Sequence, residues 1–374
     1  MPMGIDLQKP TSLYKQIAGD LRTQIEKGEM VAGDQLPSQG ELAKRYDVSL
    51  ITIKKALSEL IGNGLIYSRM GKGAFVAPRQ TQLKLNTSKA LGLVLRDLRS
   101  PFFSMIIHSV QAEAERRGYT LLISNSADHE EREVSQIARF RSMEISGMII
   151  ASMSYTHEAT PPVLKLMESK FPMVMVSYIE DDRISYVGID NLQGAYLATK
   201  HLVDLGYSRI GYISGGRGNV LSTLRMEGYQ RALKDAGLPV DRKYLFELPV
   251  KQEWRYYDAA RALGHQILGL KSRPEAIFAY DDMIALGLQQ AVLEIKLQVP
   301  DDLAIVGFDD IEQVKLAPVP LTTIRQPVEE IGERAVGALT AQIDGRKEAT
   351  RILLNPRLVI RESCGSKLFQ KSNN

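Results

Sequence analysis

From residue 90 onward, short β-rich runs alternate with longer helical stretches, and this alternation constrains the fold more than any other feature. Helical stretches such as SMIIHSVQAEAERRG at 104–118 separate the β-rich runs. These runs include ALGLVL at 90–95, GMIIAS at 147–152, RIGYIS at 209–214 and LAIVGF at 303–308. The alternation is typical of parallel sheets covered by helices. We therefore expect an α/β region with two doubly wound lobes, which bind ligands at the carboxyl ends of their strands.

The chain has 374 residues, more than one hydrophobic core usually supports, so two or three domains are expected. No apolar run reaches the ~18 residues of a membrane span. The first residues also lack the pattern of a signal peptide. Cys364 is the only cysteine, which excludes a disulfide framework and a multi-cysteine metal site. We therefore expect a cytoplasmic protein without a membrane partner.

The first 80 residues predict a winged helix-turn-helix. Apolar residues recur at helical spacing over 13–25, and Ser38 with Glu41 three residues later forms a capping-box pattern. Ser49 is placed to cap the next helix. The runs LIYS and AFV surround a basic, glycine-containing turn and predict a hairpin. The buried stripe of the third helix is expected to contain Ile53, Leu57 and either Leu60 or Ile61.

This N-terminal segment also carries the positive charge of the chain. Residues 1–80 hold 11 Lys and Arg against 8 Asp and Glu, whereas the remaining residues hold 36 of each. A positive excess confined to one end suits a module that faces the phosphates of double-stranded DNA. The candidate DNA-contacting residues are Ser38, Ser49, Thr52, Lys54, Lys55, Arg69 and Lys72.

The third helix opens with Leu50 and Ile51, where polar base-contacting side chains are expected. Two interpretations are open. The pair contacts thymine methyl groups in the major groove, or it packs against the preceding helix.

Six short motifs in this order resemble the GntR family of bacterial regulators. They are LPS at 36–38, ELA at 41–43, DVS at 47–49, TIKKAL at 52–57, GLI at 64–66 and GKGAFV at 71–76. The resemblance implies a winged-helix domain that binds operator DNA. The family usually has Arg where this chain has Gly40 and Leu50, which leaves Lys54, with Lys55 beside it, as the basic residues of the helix. We therefore expect base recognition through fewer bidentate contacts.

Polar and aromatic side chains follow the predicted strands of the larger segment. The candidates for effector contact are Asp97, Phe102, Phe103, Arg225, Trp254, Asp281 and Asp309. Carboxylates and guanidinium groups pair with vicinal hydroxyls, and aromatic rings cover the C–H faces of a small polar ligand. This chemistry suits a sugar. As alternatives, Asp282 and Asp310 are expected to cap helices, and one of the two phenylalanines is a core residue.

The sequence lacks the motifs of nucleotide binding, metal binding and nucleophilic catalysis. GGRG at 215–218 is not followed by the G-K-S/T of a phosphate loop. The five histidines lack metal-ligand spacing, and no G-x-S-x-G nucleophile elbow occurs. We therefore expect no enzymatic activity, no cofactor and no metal.

Residues 90–365 resemble the effector-binding domain of the LacI/GalR family, which is itself similar to periplasmic sugar-binding proteins. The ordered motifs include SPFF at 100–103, GYTLLISNS at 118–126, PEAIFAYDDMIALG at 274–287, VPDDLAIVGFDD at 299–310 and PLTTIRQP at 320–327. The resemblance implies ligand contacts from Phe102, Phe103, Arg225, Asp281 and Asp309, and adds Gln326. It places an aromatic residue on the ligand near Trp254, with Arg255 as the alternative. Where the family often has Asp-Arg, this chain has Ser177 and Tyr178.

Together the two resemblances predict a winged helix-turn-helix at 1–79, a linker at 80–89, a two-lobed effector-binding and dimerisation domain at 90–366, and a tail at 367–374. This order resembles the architecture of arabinose-operon repressors. The expected function is a sugar-responsive repressor that binds operator DNA as a homodimer and is released by a small carbohydrate. The alternatives are a corepressor-type regulator or an activator with a non-sugar effector, and a sugar-binding receptor.

Overall fold

The computed structural model describes residues 12–69, 73–77, 89–127, 129–151, 158–216, 219–249 and 255–366. Contacts between residues divide the chain into two units, Met1–Leu85 and Asn86–Asn374. Residues 78–88 and 367–374 lie outside the described residues, so the linker and the tail stay predictions.

The described part of the N-terminal unit contains three helices followed by an antiparallel hairpin. The elements are α1 (Leu13–Glu26), α2 (Gln39–Tyr46), α3 (Leu50–Gly62), β1 (Ile66–Arg69) and β2 (Gly73–Val76). The hairpin pairs Ile66 with Val76 and Arg69 with Gly73. The core of the N-terminal unit contains the fully buried residues Ile17, Leu21, Leu42, Ile53 and Leu60. The predicted winged helix-turn-helix is confirmed, and Leu60, not the exposed Ile61, completes the buried stripe of α3.

Two serine hydroxyls cap the N-termini of α2 and α3. The Oγ of Ser38 accepts from the backbone N–H of Glu41 at 3.2 Å, and the Glu41 carboxylate accepts from the N–H of Ser38 at 2.7 Å. This reciprocal pair is the predicted capping box. The Oγ of Ser49 accepts from the N–H of Thr52 at 3.3 Å and caps α3.

Replacing Ser38 by Ala should destabilise α2, because the N–H of Glu41 loses its acceptor. Loss of an N-cap costs about 1 kcal/mol, so local opening should become about fivefold more frequent. Hydrogen–deuterium exchange of peptides covering 39–46 measures this opening. Ser58→Ala, on the exposed face of α3, is the matched control and should leave exchange in α2 unchanged. Equal exchange in the Ser38→Ala variant and the wild type would contradict the assigned role.

The larger unit begins with a lobe built on a six-stranded sheet in which every pairing is parallel. The order of its strands is β4-β3-β5-β6-β7-β13. Its elements are β3 (Ala90–Leu95), α4 (Pro101–Arg116), β4 (Thr120–Asn125), α5 (Glu130–Ser142), β5 (Gly147–Ile150), α6 (Pro161–Glu168), β6 (Met173–Met175), β7 (Tyr186–Ile189), α12 (Val328–Ile343) and β13 (Arg351–Leu354).

A second lobe contains another six-stranded sheet, ordered β9-β8-β10-β11-β12-β14, in which only β14 pairs antiparallel. Its elements are α7 (Asn191–Asp204), β8 (Ile210–Ser214), α8 (Val220–Asp235), β9 (Leu245–Glu247), α9 (Tyr256–Leu268), β10 (Ala276–Ala279), α10 (Asp282–Glu294), β11 (Ala304–Asp309), α11 (Gln313–Leu316), β12 (Thr322–Arg325) and β14 (Arg357–Val359). The two predicted doubly wound lobes are confirmed.

Three short segments connect the lobes within the described residues. They join β7 to α7, β12 to α12, and β13 to β14. Buried residues of both lobes belong to one hydrophobic cluster, which includes Leu93 of the first sheet and Phe278 of the second. A separate cluster around Phe140 covers the other face of the first sheet. Among the described residues, no helix is both long and apolar enough to cross a membrane.

Candidate functional site

A cavity of about 290 Å³ lies between the two lobes. Its walls are formed where the strands of both sheets end, which is where doubly wound sheets bind ligands. Arg96 follows β3, Ser177 and Tyr178 follow β6, and Tyr280 and Asp281 follow β10. The polar lining is completed by Arg99, Ser100, Tyr186, Asn191, Arg225, Asp309 and Gln326.

Arg225 is the central cation of this cavity. It lies on α8 with 3% of its surface exposed. Its Nε donates to the side-chain oxygen of Asn191 at 3.0 Å, and its Nη1 donates to the backbone carbonyl of Tyr280. The guanidinium lies over the rings of Phe308 and Tyr280, 3.6 and 4.4 Å from their centroids. Aromatic faces and hydrogen bonds therefore fix the guanidinium in one orientation.

Asp309 forms an ion pair with Arg225, with 3.9 Å between its Oδ1 and the Nη2 of Arg225. The same Oδ1 accepts from Nε2 of Gln326 at 2.7 Å. Asp309 ends β11 with φ of 115°, and Asp310 follows with φ of 59°. Two successive positive φ values are unusual for residues other than glycine, and such strain is common at ligand sites.

Asp310 holds this strained turn in place. Its carboxylate accepts from the guanidinium groups of Arg325 at 2.6 Å and Arg361 at 2.5 Å. Asp310 is buried and begins no helix, because α11 starts three residues later with Glu312 as its N-cap. The expectation that Asp310 caps a helix is therefore wrong. The two ion pairs fix the backbone that directs Asp309.

Asp281 and Asp282, the two acidic residues that follow β10, have roles other than the expected ones. Asp281 both lines the cavity and caps α10, since its Oδ1 accepts from the N–H of Ile284 at 2.8 Å. Asp282 is fully buried and accepts from the hydroxyl of Thr323 at 2.6 Å and the N–H of Ile311 at 3.0 Å. Burial raises the pKa of Asp282 well above its ordinary value. The prediction that Asp282 is the capping residue is wrong, because that position belongs to Asp281.

Aromatic side chains from the first lobe face the polar groups. Phe102 and Phe103 lie in the first turn of α4 and both line the cavity, with ring centroids 5.6 Å apart. Phe103 is buried and also belongs to the core, whereas Phe102 is half-buried. Tyr178 lines the same wall, and burial raises the pKa of its hydroxyl, which therefore stays protonated and able to donate at neutral pH.

Six of the eight predicted effector residues line the cavity together: Phe102, Phe103, Arg225, Asp281, Asp309 and Gln326. Asp97 is outside the lining. Its carboxylate accepts from Nε and Nη2 of Arg99, each at 2.9 Å, so it orients a cavity residue without facing the cavity itself. Trp254 lies outside the described residues, and its alternative Arg255 is an exposed residue at the start of α9.

The cavity also contains residues that the sequence reasoning missed. Arg96 and Arg99 lie in the same loop as Asp97, and Asn191 follows the end of β7. Arg96 and Arg99 follow the predicted run ALGLVL, so the sequence contained a signal for both. No strand was predicted at 186–189, so Asn191 carried no such signal. Tyr280 was missed because it is the last residue of the run AIFAY, which reads as apolar.

Three of the candidates for DNA contact, Thr52, Lys54 and Lys55, lie on α3. Lys54 and Lys55 are exposed, and the hydroxyl of Thr52 lies 2.9 Å from that of Ser49. Arg69 ends β1 with its guanidinium 5.4 Å from the ring centroids of both Tyr67 and Phe75. Lys72 lies outside the described residues.

The exposure of Leu50 and Ile51 contradicts one of the two interpretations offered for them. Their exposed fractions are 51% and 69%. The interpretation that they pack against the preceding helix is therefore wrong.

Two family models match separate parts of the chain. Residues 13–76 match the model of bacterial regulatory proteins of the gntR family. Residues 199–364 match the model of the periplasmic binding protein-like domain.

Curated relatives and solved structures agree with these matches. The HTH-type transcriptional repressor PurR of Haemophilus influenzae (strain PittEE) is 32% identical over 290 residues, 76% of this chain and 84% of the relative. The arabinose metabolism transcriptional repressor of Geobacillus stearothermophilus is 29% identical over 365 residues, 95% of this chain and 98% of the relative. The crystal structure of transcription regulator CcpA of Lactococcus lactis superposes with a TM-score of 0.66 at 27% identity, covering 74% of this chain and 99% of that one. The chain belongs to the bacterial transcriptional repressors with a LacI/GalR-type effector-binding domain, which in this case is joined to a gntR-family DNA-binding domain.

Proposed function

We propose that this repressor responds to a small carbohydrate that binds in the cavity between the lobes and releases the protein from its operator. The observation that carries the proposal is the placement of Arg225 against Asp309 within a cavity walled by aromatic rings. A guanidinium donates to sugar hydroxyls, and carboxylates accept from them. Phe102 and Tyr178 supply faces for the C–H groups of the ring.

The size of the cavity supports a small ligand. Its volume of about 290 Å³ lies just below the roughly 300–1,000 Å³ that is typical of ligand pockets. A monosaccharide suits this space better than an oligosaccharide. The name of the arabinose metabolism repressor from Geobacillus stearothermophilus also favours a sugar.

A non-sugar effector is the second candidate. Apolar and aromatic residues fill much of the wall, among them Phe102, Phe103, Leu221 and Met283. Such a surface also suits a flat heterocycle such as a nucleobase. The relatives named PurR show that the family is not confined to repressors named for sugars.

We further propose that the protein acts as a homodimer. Helix α4, which lines the cavity through Phe102 and Phe103, also presents Met105 and Ile107 as partly exposed apolar residues. A partner bound along α4 would sense a change in the cavity walls. A symmetric dimer carries two DNA-binding units, so the operator should be nearly palindromic.

Thermal unfolding of the full chain against a panel of pentoses, hexoses and nucleobases tests the effector class. A ligand at 100 times its dissociation constant adds ~2.7 kcal/mol to the free energy of unfolding, which raises the melting temperature measurably. We expect at least one monosaccharide to stabilise the protein. Stabilisation by nucleobases alone would overturn the sugar proposal and support the second candidate.

A further inference from the structure

We propose that Leu50 and Ile51 are specificity-determining residues that read the 5-methyl groups of thymine in the major groove of the operator. The inference rests on operator binding through α3. It adds recognition of thymine, which the basic residues of this helix do not supply.

The first observation is where apolar surface lies on α3. Four apolar residues of this helix, Ile53, Ala56, Leu57 and Leu60, are buried in the core of the N-terminal unit. Leu50 and Ile51 are exposed to 51% and 69%, so they contribute almost nothing to that core. Adjacent exposed apolar residues beside charged ones are typical of a binding surface.

The second observation is the order of side chains along the helix. Residues four apart share one face, so Leu50, Lys54 and Ser58 form one ridge and Ile51 with Lys55 forms the next. All five are exposed. The apolar pair therefore lies one turn closer to the N-terminus than the basic pair. In a helix-turn-helix, the N-terminal residues of the second helix reach base edges in the major groove.

The chemistry of the groove then selects the base. Among the four bases, thymine alone offers a methyl group in the major groove, whereas the other edges present hydrogen-bond donors and acceptors. An apolar side chain against such a polar edge removes water without replacing its hydrogen bonds, which is unfavourable. Leu50 and Ile51 therefore favour thymine. Lys54 and Lys55, one turn further on, are placed for guanine or phosphate.

The test begins with duplexes that the full chain selects from a random library. Each thymine of the selected sequence is then replaced by deoxyuridine, which keeps the base pair and removes only the methyl group. At one or two thymines in each half-site, loss of the methyl should weaken binding about fourfold. Replacement at the other thymines should leave the affinity unchanged.

Protein variants test whether Leu50 and Ile51 cause the effect of the thymine methyl on binding. The double variant Leu50→Ala with Ile51→Ala should bind thymine and deoxyuridine duplexes equally well. Lys54→Ala, the matched control on the same ridge, should weaken binding to both duplexes and keep the fourfold ratio. Leu50→Arg should shift the selected base from thymine to guanine, because arginine pairs with the major-groove edge of guanine.

Three results would overturn the inference, and they are distinguishable. If no duplex is enriched, operator binding itself fails and the inference fails with it. If duplexes are enriched but no thymine methyl affects binding, or the methyl effect persists in the double alanine variant, DNA binding stands and the assignment of Leu50 and Ile51 is wrong.

Discussion

Arg225→Ala should lower the affinity for the effector by roughly 30- to 4,000-fold, because removing one member of a buried charge pair costs about 2–5 kcal/mol. The guanidinium is 3% exposed and lies 3.9 Å from Asp309, so water cannot readily replace it. Its removal also takes away the donor to Asn191. Calorimetric titration with the strongest stabilising compound of the thermal panel measures the loss.

Two further variants separate the causes of this loss. Arg225→Lys keeps the positive charge but lacks the planar fork, so its affinity should lie between those of the wild type and the alanine variant. Arg231→Ala removes an exposed arginine of the same helix and should leave effector binding unchanged. Near-native affinity in Arg225→Ala would remove this residue from the site. An equal loss in Arg231→Ala would point to damage of α8.

The strands of the fold were predictable from sequence where burial is complete. The run ALGLVL became β3 over Ala90–Leu95, and all six residues are buried. A strand that is covered on both faces consists of apolar residues throughout, which makes it visible in the sequence. The edge strand β4 is exposed in part, and its observed bounds, Thr120–Asn125, are shifted by one residue from the predicted β-rich run YTLLIS at 119–124.

Pairing between strands distant in the sequence was not predictable in the same way. Strand β13 pairs with β7, although Leu353 and its partner Gly188 are far apart in the sequence. Its burial is incomplete, and Leu353 itself is 61% exposed. The four residues of β13 do not by themselves indicate which sheet the strand joins. Long-range pairing, which the local pattern does not contain, decides it.

At the candidate site, too, the local sequence and the tertiary contacts determine different things. Asp281 and Asp282 are chemically identical neighbours, and only the backbone at the end of β10 decides that Asp281 faces the cavity while Asp282 is buried beneath it. Asp309, predicted from the motif G-F-D-D, lines the cavity, but the ion pairs of Asp310 with Arg325 and Arg361 come from segments distant in sequence. Local chemistry indicated the site, and tertiary contacts assigned the roles.

Operator affinity of the wild-type chain should fall about 100-fold when the cavity is saturated with effector. The apparent dissociation constant varies inversely with the fraction of protein in the DNA-binding state, so a change from 99% to 1% gives this factor. Such a shift requires the effector to prefer the released state by ~5.5 kcal/mol. A smaller preference releases the operator only in part. Mobility-shift titration of the selected duplex, with and without effector, measures the change.

The effector-site variant supplies the control for this mechanism. Arg225 lies in the larger unit and α3 in the N-terminal unit, so Arg225→Ala should bind the operator like the wild type in the absence of effector. At the effector concentration that releases the wild type, the variant should stay bound. Release of the variant at that concentration would show that the effector acts elsewhere. If the wild type bound the operator more tightly with effector, the sign of the response would be reversed and the protein would be a corepressor-type regulator. The effector can change operator affinity only through its different affinities for the two states, so either result reports which state the occupied cavity favours.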